Sequence, residues 1–178
     1  MDVLNKKWLQ RHFSLTKEIA SWSKDPDTQV GALIVKNTGE PVSWGYNGIP
    51  MAVNDHPTRL IRPTKYHFMA HAERNAMDLS SRNNFVDCTL FCTHSPCSGC
   101  ATSIVNRRMS NVVCLAENGF LRKSFVTRHP ESLECHNAAL EMFTEADILY
   151  HEYDPMKEEL FQITKLQGES IYVRKIHN

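Results

Sequence analysis

Apolar residues recur at helical spacing at the start of the chain, at Leu4, Trp8, Leu15, Ile19 and Trp22. That period predicts an opening amphipathic helix. It should end near Asp25-Pro26, because a residue before proline disfavours the helical region. A β-rich apolar run over 30–35, a turn signal at Asn37-Thr38-Gly39 and a second run over 42–44 predict a hairpin. From Gly45 to Pro63 the chain carries Gly48, Pro50, Asn54 and Pro57 and reads as an ordered loop. The pattern then predicts a helix over about 71–81, a strand over 88–93 and a helix from Ser95-Pro96 to about 108. A strand over 111–116, a helix near 132–144 and a strand near 147–150 complete it. Ser95 suits the N-cap of the middle helix and Pro96 its first position.

Strands joined by helices run parallel, so this order predicts an α/β protein with a mixed sheet covered by helices. The tail after Pro155 contains Phe161-Gln162-Ile163 and Ile171-Tyr172-Val173 about Gln167-Gly168, a pattern open to a small hairpin. No repeat, low-complexity tract or Gly/Ser linker marks a boundary. Residues 1–178 therefore read as one domain, with 156–178 as a C-terminal extension.

Composition narrows the function. The chain has 178 residues, 20 Lys+Arg against 20 Asp+Glu, and 42% hydrophobic residues. Zero formal net charge argues against coating nucleic acid or an anionic membrane, since no bulk field releases counterions. No stretch approaches the roughly 18 consecutive apolar residues of a spanning helix. The opening MDVLNKKWLQRHF lacks an apolar signal core. These features predict a cytoplasmic protein.

Six cysteines stand at 88, 92, 97, 100, 114 and 135. Disulfides suit short exported chains better than this one. Cys88, Cys92 and Cys114 alternate with Leu, Phe and Val and read as buried small apolar residues. Cys97 and Cys100 differ: they lie in Pro96-Cys97-Ser98-Gly99-Cys100, downstream of His71-Ala72-Glu73. One imidazole and two thiolates suit tetrahedral zinc and leave a fourth position for water. Helix starts favour the thiolate form. Glu73 is close enough to His71 to stand over that water without ligating, and a carboxylate there can carry protons from water to a leaving amine. A structural zinc site would need a fourth protein ligand, for which His67 and His94 are the nearest candidates.

His71-x-Glu73 followed by Pro96-Cys97-x-x-Cys100 matches the signature of zinc nucleobase deaminases. With Ser23-Lys24-Asp25-Pro26, Gln29-Val30-Gly31-Ala32, Gly45-Tyr46-Asn47-Gly48-Ile49-Pro50 and His71-Ala72-Glu73-Arg74-Asn75-Ala76, the chain resembles the cytidine/deoxycytidylate deaminase superfamily over about 21–150, and most its deoxycytidylate branch. The resemblance implies a three-layer α/β/α fold on a five-stranded mixed sheet. It also implies hydrolysis of dCMP to dUMP and ammonia, feeding thymidylate synthesis, by a hexamer regulated by dCTP and dTTP with Mg2+.

The same resemblance implies one zinc per subunit on His71, Cys97 and Cys100, with Glu73 as proton shuttle. Cysteines of a second family zinc site are missing here, although His56 and His67 remain. Asn47 matches a ligand of the sugar 3′-hydroxyl; an Asn between glycines is also a turn former. The backbone of Ala72 and Ser95 would grip the cytosine, with His94 against the base or at the surface. Lys24, Arg74 and Asn75 are the donors nearby for a phosphate, and for the two cations a solvated charge is the alternative. The tyrosine that relatives carry after the fourth strand to touch the phosphate is replaced by Glu117-Asn118-Gly119-Phe120. His56, Arg59, Arg62 and Lys65 are basic groups that would meet a triphosphate effector. The alternatives are a deaminase of another cytosine nucleotide or of tRNA adenosine, and a non-catalytic zinc-binding module.

Overall fold

Helix α1 (Lys6–Ser21) opens on Asn5, whose side chain accepts the Trp8 N–H at 3.1 Å. It stops at Ser21, ahead of the expected proline. Its buried face is Leu9, His12, Phe13, Thr16, Ile19 and Ala20, whereas Leu15 and Trp22 are exposed. The stripe read from the apolar residues alone was therefore partly misplaced. Small side chains at Thr16 and Ala20 let the helix lie on Gly31 at backbone distance, and that contact sets its rotation.

The computed structural model describes residues 2–121 and 130–176, so the ends of the single-domain reading at 1 and 178 lie outside the described residues. Strands β1 (Gly31–Lys36), β2 (Pro41–Tyr46), β3 (Cys88–Cys92), β4 (Asn111–Leu115), β5 (Leu149–Asp154), β6 (Glu159–Thr164) and β7 (Tyr172–Ile176) form one sheet in the order β2-β1-β3-β4-β5-β6-β7. The pairs β3–β4 and β4–β5 are parallel and the others antiparallel. The sheet is mixed as expected, but it has seven strands and not five. The two extra strands are the tail hairpin, which adds β6 and β7 beyond β5.

Helices α2 (Lys65–Phe68, a single turn), α3 (Ala72–Asp78), α4 (Ser98–Asn106) and α5 (Pro130–Glu145) complete the chain. Strand alternation separates the two cores. Leu90, Val112, Tyr150 and Ile163 are aligned across neighbouring strands on the face covered by α3, α4 and α5. Phe91, Val113, Leu115 and Tyr153 face the opposite way, against Leu9 and Phe13 of α1. Burial on both faces is why β3 carries no exposed residue, and Cys88, Cys92 and Cys114 are fully buried within it and β4. The result is the expected α/β/α layering.

The edge strand β2 lies against α3. A Cβ on Gly45 would fall 2.4 Å from the Ala76 N and 2.6 Å from the Ala72 O, so only glycine permits this approach. Ser43 Oγ and the Asn75 side chain fasten the same seam, donating to Ala76 O at 2.6 Å and Tyr46 O at 2.7 Å. This contact sets where α3 begins, and the candidate site starts there.

Candidate active site

His71 is the N-cap of α3 and Cys97 the N-cap of α4, and neither side chain caps its own helix. N-cap side chains ordinarily turn back to a free N–H of the first turn. Here they turn toward each other: Cys97 Sγ lies 3.5 Å and Cys100 Sγ 3.3 Å from His71 Nδ1. The expected Ser95 cap is corrected. The Ser95 hydroxyl is engaged by the Tyr150 OH at 3.0 Å, and α4 begins at Ser98.

The three donor atoms lie within 4.8 Å of one another, close enough to share a metal ion, and are the group with that spacing found among the described residues. Zinc bonds of about 2.1 Å to nitrogen and 2.3 Å to sulfur at the tetrahedral angle put nitrogen and sulfur about 3.6 Å apart. The two observed separations fit that edge length, and the soft donor set fits zinc. Electrostatics point the same way. The Cys100 thiol donates to Cys97, and this bond with the His71 imidazole holds the Cys97 thiol far below its ordinary range, at about 3. Cys100, as the donor and buried, is pushed up. The Cys97 contact raises His71. The group thus carries one thiolate already, and a metal need displace only the remaining protons.

Glu73, two residues into the helix, is 4% exposed. Burial raises its carboxyl above the usual carboxylate range, against the opposing pull of His71. A carboxyl raised by burial holds a proton more readily than an exposed one, which suits a group that must both accept and return a proton.

The group opens into a cavity of about 260 Å3. The structure brings Asn47, Ala72, Glu73, Ser95 and His94 to its wall together with His71 and Cys97. Burial and the nearby His136 lower His94 to about 4, so it faces the cavity as a neutral imidazole. The Ser95 carbonyl is 3.2 Å from His136 Nε2, and its N–H donates to Asn118 O at 3.3 Å.

Asn47 is 6% exposed, and its carboxamide is fixed on both sides. Oδ1 accepts the Val30 N–H at 2.8 Å, and Nδ2 donates to Thr28 O at 2.9 Å and Asp25 Oδ2 at 3.3 Å. Both amide hydrogens are spent; one lone pair of Oδ1 is left for a ligand.

Three expected residues, Lys24, Arg74 and Asn75, are not brought to the cavity wall. Lys24 pairs with Asp55 at 2.5 Å on the outer surface. Asn75 is spent on Tyr46 O, and Arg74 donates to Gly99 O at 3.1 Å, tying α3 to α4. The basic loop is likewise engaged. His56 caps the 3-10 turn at Pro57–Leu60, Arg59 donates to Asn54 O and lies over Phe68, and Arg62 pairs with Asp27. Lys65 is buried.

Arg62, Lys65, Tyr66, Met69 and His136 line the cavity without having been read as cavity residues from the sequence. His136 arrives on α5 with no motif around it. The Thr-Lys-Tyr-His-Phe-Met-Ala run before His71 carries Lys65, Tyr66 and Met69, with Arg62 two residues ahead of it, and closeness to a ligand is the one local signal.

The model of the cytidine and deoxycytidylate deaminase zinc-binding region matches residues 6–116. An uncharacterized deaminase of Aliivibrio fischeri is 36% identical over 80% of this chain and 90% of its own length. The deoxycytidylate deaminase of Homo sapiens is 31% identical over 62% of this chain, which spans 66% of the human sequence. Among solved structures, the dCMP deaminase of cyanophage S-TIM5 in apo form is similar with a TM-score of 0.54 and 29% identity, over 66% of this chain and 87% of that one. With the zinc-binding region matched from α1 through β4, and a His/Cys/Cys triangle sharing a cavity wall with a buried glutamate, this chain belongs to the cytidine and deoxycytidylate deaminase family.

Proposed function

We propose that the protein is a zinc-dependent deoxycytidylate deaminase, converting dCMP and water to dUMP and ammonia. The observation that carries this reading is the buried Glu73 beside the His71–Cys97–Cys100 triangle on one cavity wall. The substrate reading is supported by the deoxycytidylate deaminases among the relatives, and by an S-TIM5 dCMP deaminase complex with dCMP and dUMP whose fold is similar (TM-score 0.55, 24% identity).

His71, Cys97 and Cys100 would hold one zinc ion per subunit, which when bound would supply the Lewis acidity that activates water. The chain's own residues do the rest. Glu73 takes a proton from the attacking water, whose oxygen bonds to C4 of the cytosine. It passes that proton to N3 of the ring, then takes the second from the C4 hydroxyl and gives it to the amine; the C4–N bond breaks as C4=O forms, and ammonia leaves. Raised by burial, the Glu73 carboxyl suits both halves of that task. Backbone groups of Ala72 and Ser95 orient the ring, and neutral His94 lies along it. The unspent lone pair of Asn47 Oδ1 accepts the 3′-hydroxyl. Arg62, half-exposed on the cavity wall, is the cation placed to meet the phosphate, in place of Lys24 and Asn75.

The reading extends to a cytoplasmic oligomer that feeds thymidylate synthesis. No helix among the described residues is long and apolar enough to cross a membrane. Exposed Trp22, Trp44, Tyr46 and Met51, on and beside the β2 edge, support subunit packing. A hexamer and its regulation by dCTP and dTTP with Mg2+ come from the family resemblance, and the engaged basic loop lends them no separate support. Ammonia release by the zinc-loaded protein from dCMP, CMP, deoxycytidine and dCTP is the test. Preference for dCMP is expected; no turnover of any of the four, or preference for another, overturns the substrate assignment.

A further inference from the structure

Lys65 is an anomaly on the cavity wall: a lysine 4% exposed, on a single turn of helix just before the metal-binding His71. Its ammonium has three donors. All three are spent at 3.0 Å, on Asp25 Oδ1, Asp25 Oδ2 and Asp27 Oδ2. No donor remains for a phosphate, although the residue faces the cavity. Asp25 is held from its other side as well, since its Oδ1 accepts the N–H groups of Asp27 at 2.9 Å and Thr28 at 3.2 Å. The one contact it makes toward the site is Oδ2 to Asn47 Nδ2.

We propose that Lys65 is a positioning residue for sugar recognition: it fixes the Asp25 carboxylate, which with the Thr28 carbonyl fixes the Asn47 carboxamide so that Oδ1 faces the substrate. The chain is short and directional. Val30 N–H on one side of the amide and Asp25 with Thr28 on the other dictate which end is oxygen. Without Lys65, a buried carboxylate loses its counter-ion and is free to protonate or turn away, and Asn47 loses one of the two acceptors that hold its NH2 group.

This inference rests on the reading of Asn47 as the 3′-hydroxyl ligand. Three substrates separate the possibilities: dCMP, 2′,3′-dideoxy-CMP without the 3′-hydroxyl, and deoxycytidine without the phosphate. For zinc-loaded Lys65→Met, kcat/KM on dCMP should fall roughly tenfold or more, as for a lost buried hydrogen bond. The loss should persist on deoxycytidine and shrink to under about threefold on 2′,3′-dideoxy-CMP. Asn47→Ala should show the same signature. Adding Lys65→Met to it should cost little more, because the two act as one unit.

A loss equal on all three substrates, or multiplying with that of Asn47→Ala, makes Lys65 a general structural residue and overturns the proposal. A loss that vanishes on deoxycytidine makes it a phosphate ligand and overturns it too. Because Lys65→Met strands a buried carboxylate, the double variant Lys65→Met/Asp25→Asn is measured beside it. The same 3′-hydroxyl-dependent loss is expected there, and wild-type rates overturn the proposal. Wild-type failure on dCMP would instead sink the substrate assignment itself, and Asn47→Ala indifferent to the 3′-hydroxyl would sink the reading of Asn47; the proposal falls with either.

Discussion

The Tyr150 hydroxyl stands 3.0 Å from Ser95 Oγ and 3.0 Å from Glu152 Oε1, joining β5 to the wall of the candidate active site. Glu152 is fully buried and in turn accepts the N–H groups of Phe120 and Leu121 at 2.5 and 3.0 Å. It takes up the space a Cβ on Gly119 would need, 2.1 Å from its Oε1. One carboxyl therefore secures the segment after β4 and, through Tyr150, the residue expected to align the base.

Tyr150→Phe removes that bridge while keeping the ring stacked on Phe143. The loss of a buried hydroxyl whose partners stay behind should cost about 1–2 kcal/mol in urea unfolding. It should lower kcat/KM by less than about tenfold, since the backbone of Ser95 loses alignment but no contact. Wild-type stability would show the bridge to be incidental.

Glu73→Gln should retain zinc and fold yet lose deamination by several orders of magnitude, because the amide has nearly the shape of the acid but carries no proton across. Cys97→Ala should lose the metal, since a two-donor remnant binds zinc poorly. Metal analysis beside a rate measurement separates the two. Substantial turnover by zinc-replete Glu73→Gln would remove Glu73 from the chemistry.

How far this site could be read from the sequence depends on how local its signals were. His71, Glu73, Cys97 and Cys100 were legible because each pair sits within a few residues at a helix start, where spacing translates directly into geometry. The β/α order was legible for the same reason: each element announces itself within its own window. Lys65 was not. Its burial depends on Asp25 and Asp27, which lie 40 and 38 residues away, and no nearby pattern distinguishes it from a solvated lysine. Lys24 failed in reverse, sitting inside a matched motif but captured by Asp55. On α1, Leu15 and Trp22 counted as core by chemistry alone, while close packing favoured the small Thr16 and Ala20 on that face.

Acid should weaken the fold through His151. Burial on β5 lowers its pKa from 6.5 to about 4, against a smaller opposing contribution from the Leu149 backbone. Between those values the unfolded chain binds a proton that the folded one does not, so stability contributed above pH 6.5 is lost as pH falls toward 4. The full loss is about 3 kcal/mol. His12, also lowered by burial, acts in the same direction. Glu152 opposes them: burial raises it from 4.5 to about 7, so between these values the folded state holds the extra proton and gains as pH falls. The wild-type profile is then a partial cancellation, and the difference between wild type and His151→Leu isolates one group. That difference should move in favour of the leucine variant as pH drops from 6.5 to 4; a difference constant with pH would show His151 to be solvated or paired when folded.

The two glycines flanking Tyr46-Asn47 should respond in opposite ways to the same substitution. A methyl group on Gly45 meets backbone atoms of α3 at 2.4 and 2.6 Å, and backbone cannot rotate aside as a flexible side chain can. Gly45→Ala must push β2 and α3 apart at a cost of about 1–3 kcal/mol or more. Since His71 is the N-cap of α3, the displacement reaches the metal ligands, and zinc affinity should fall in a chelator competition along with the unfolding midpoint. A methyl on Gly48 meets only the Tyr46 ring, at 3.7 Å, an ordinary contact. Gly48→Ala should therefore leave zinc affinity unchanged and stability within about 0.5 kcal/mol, with a small gain from a less flexible unfolded chain. Equal loss of zinc in both variants would mean that the loop, rather than the β2–α3 seam, sets the position of His71.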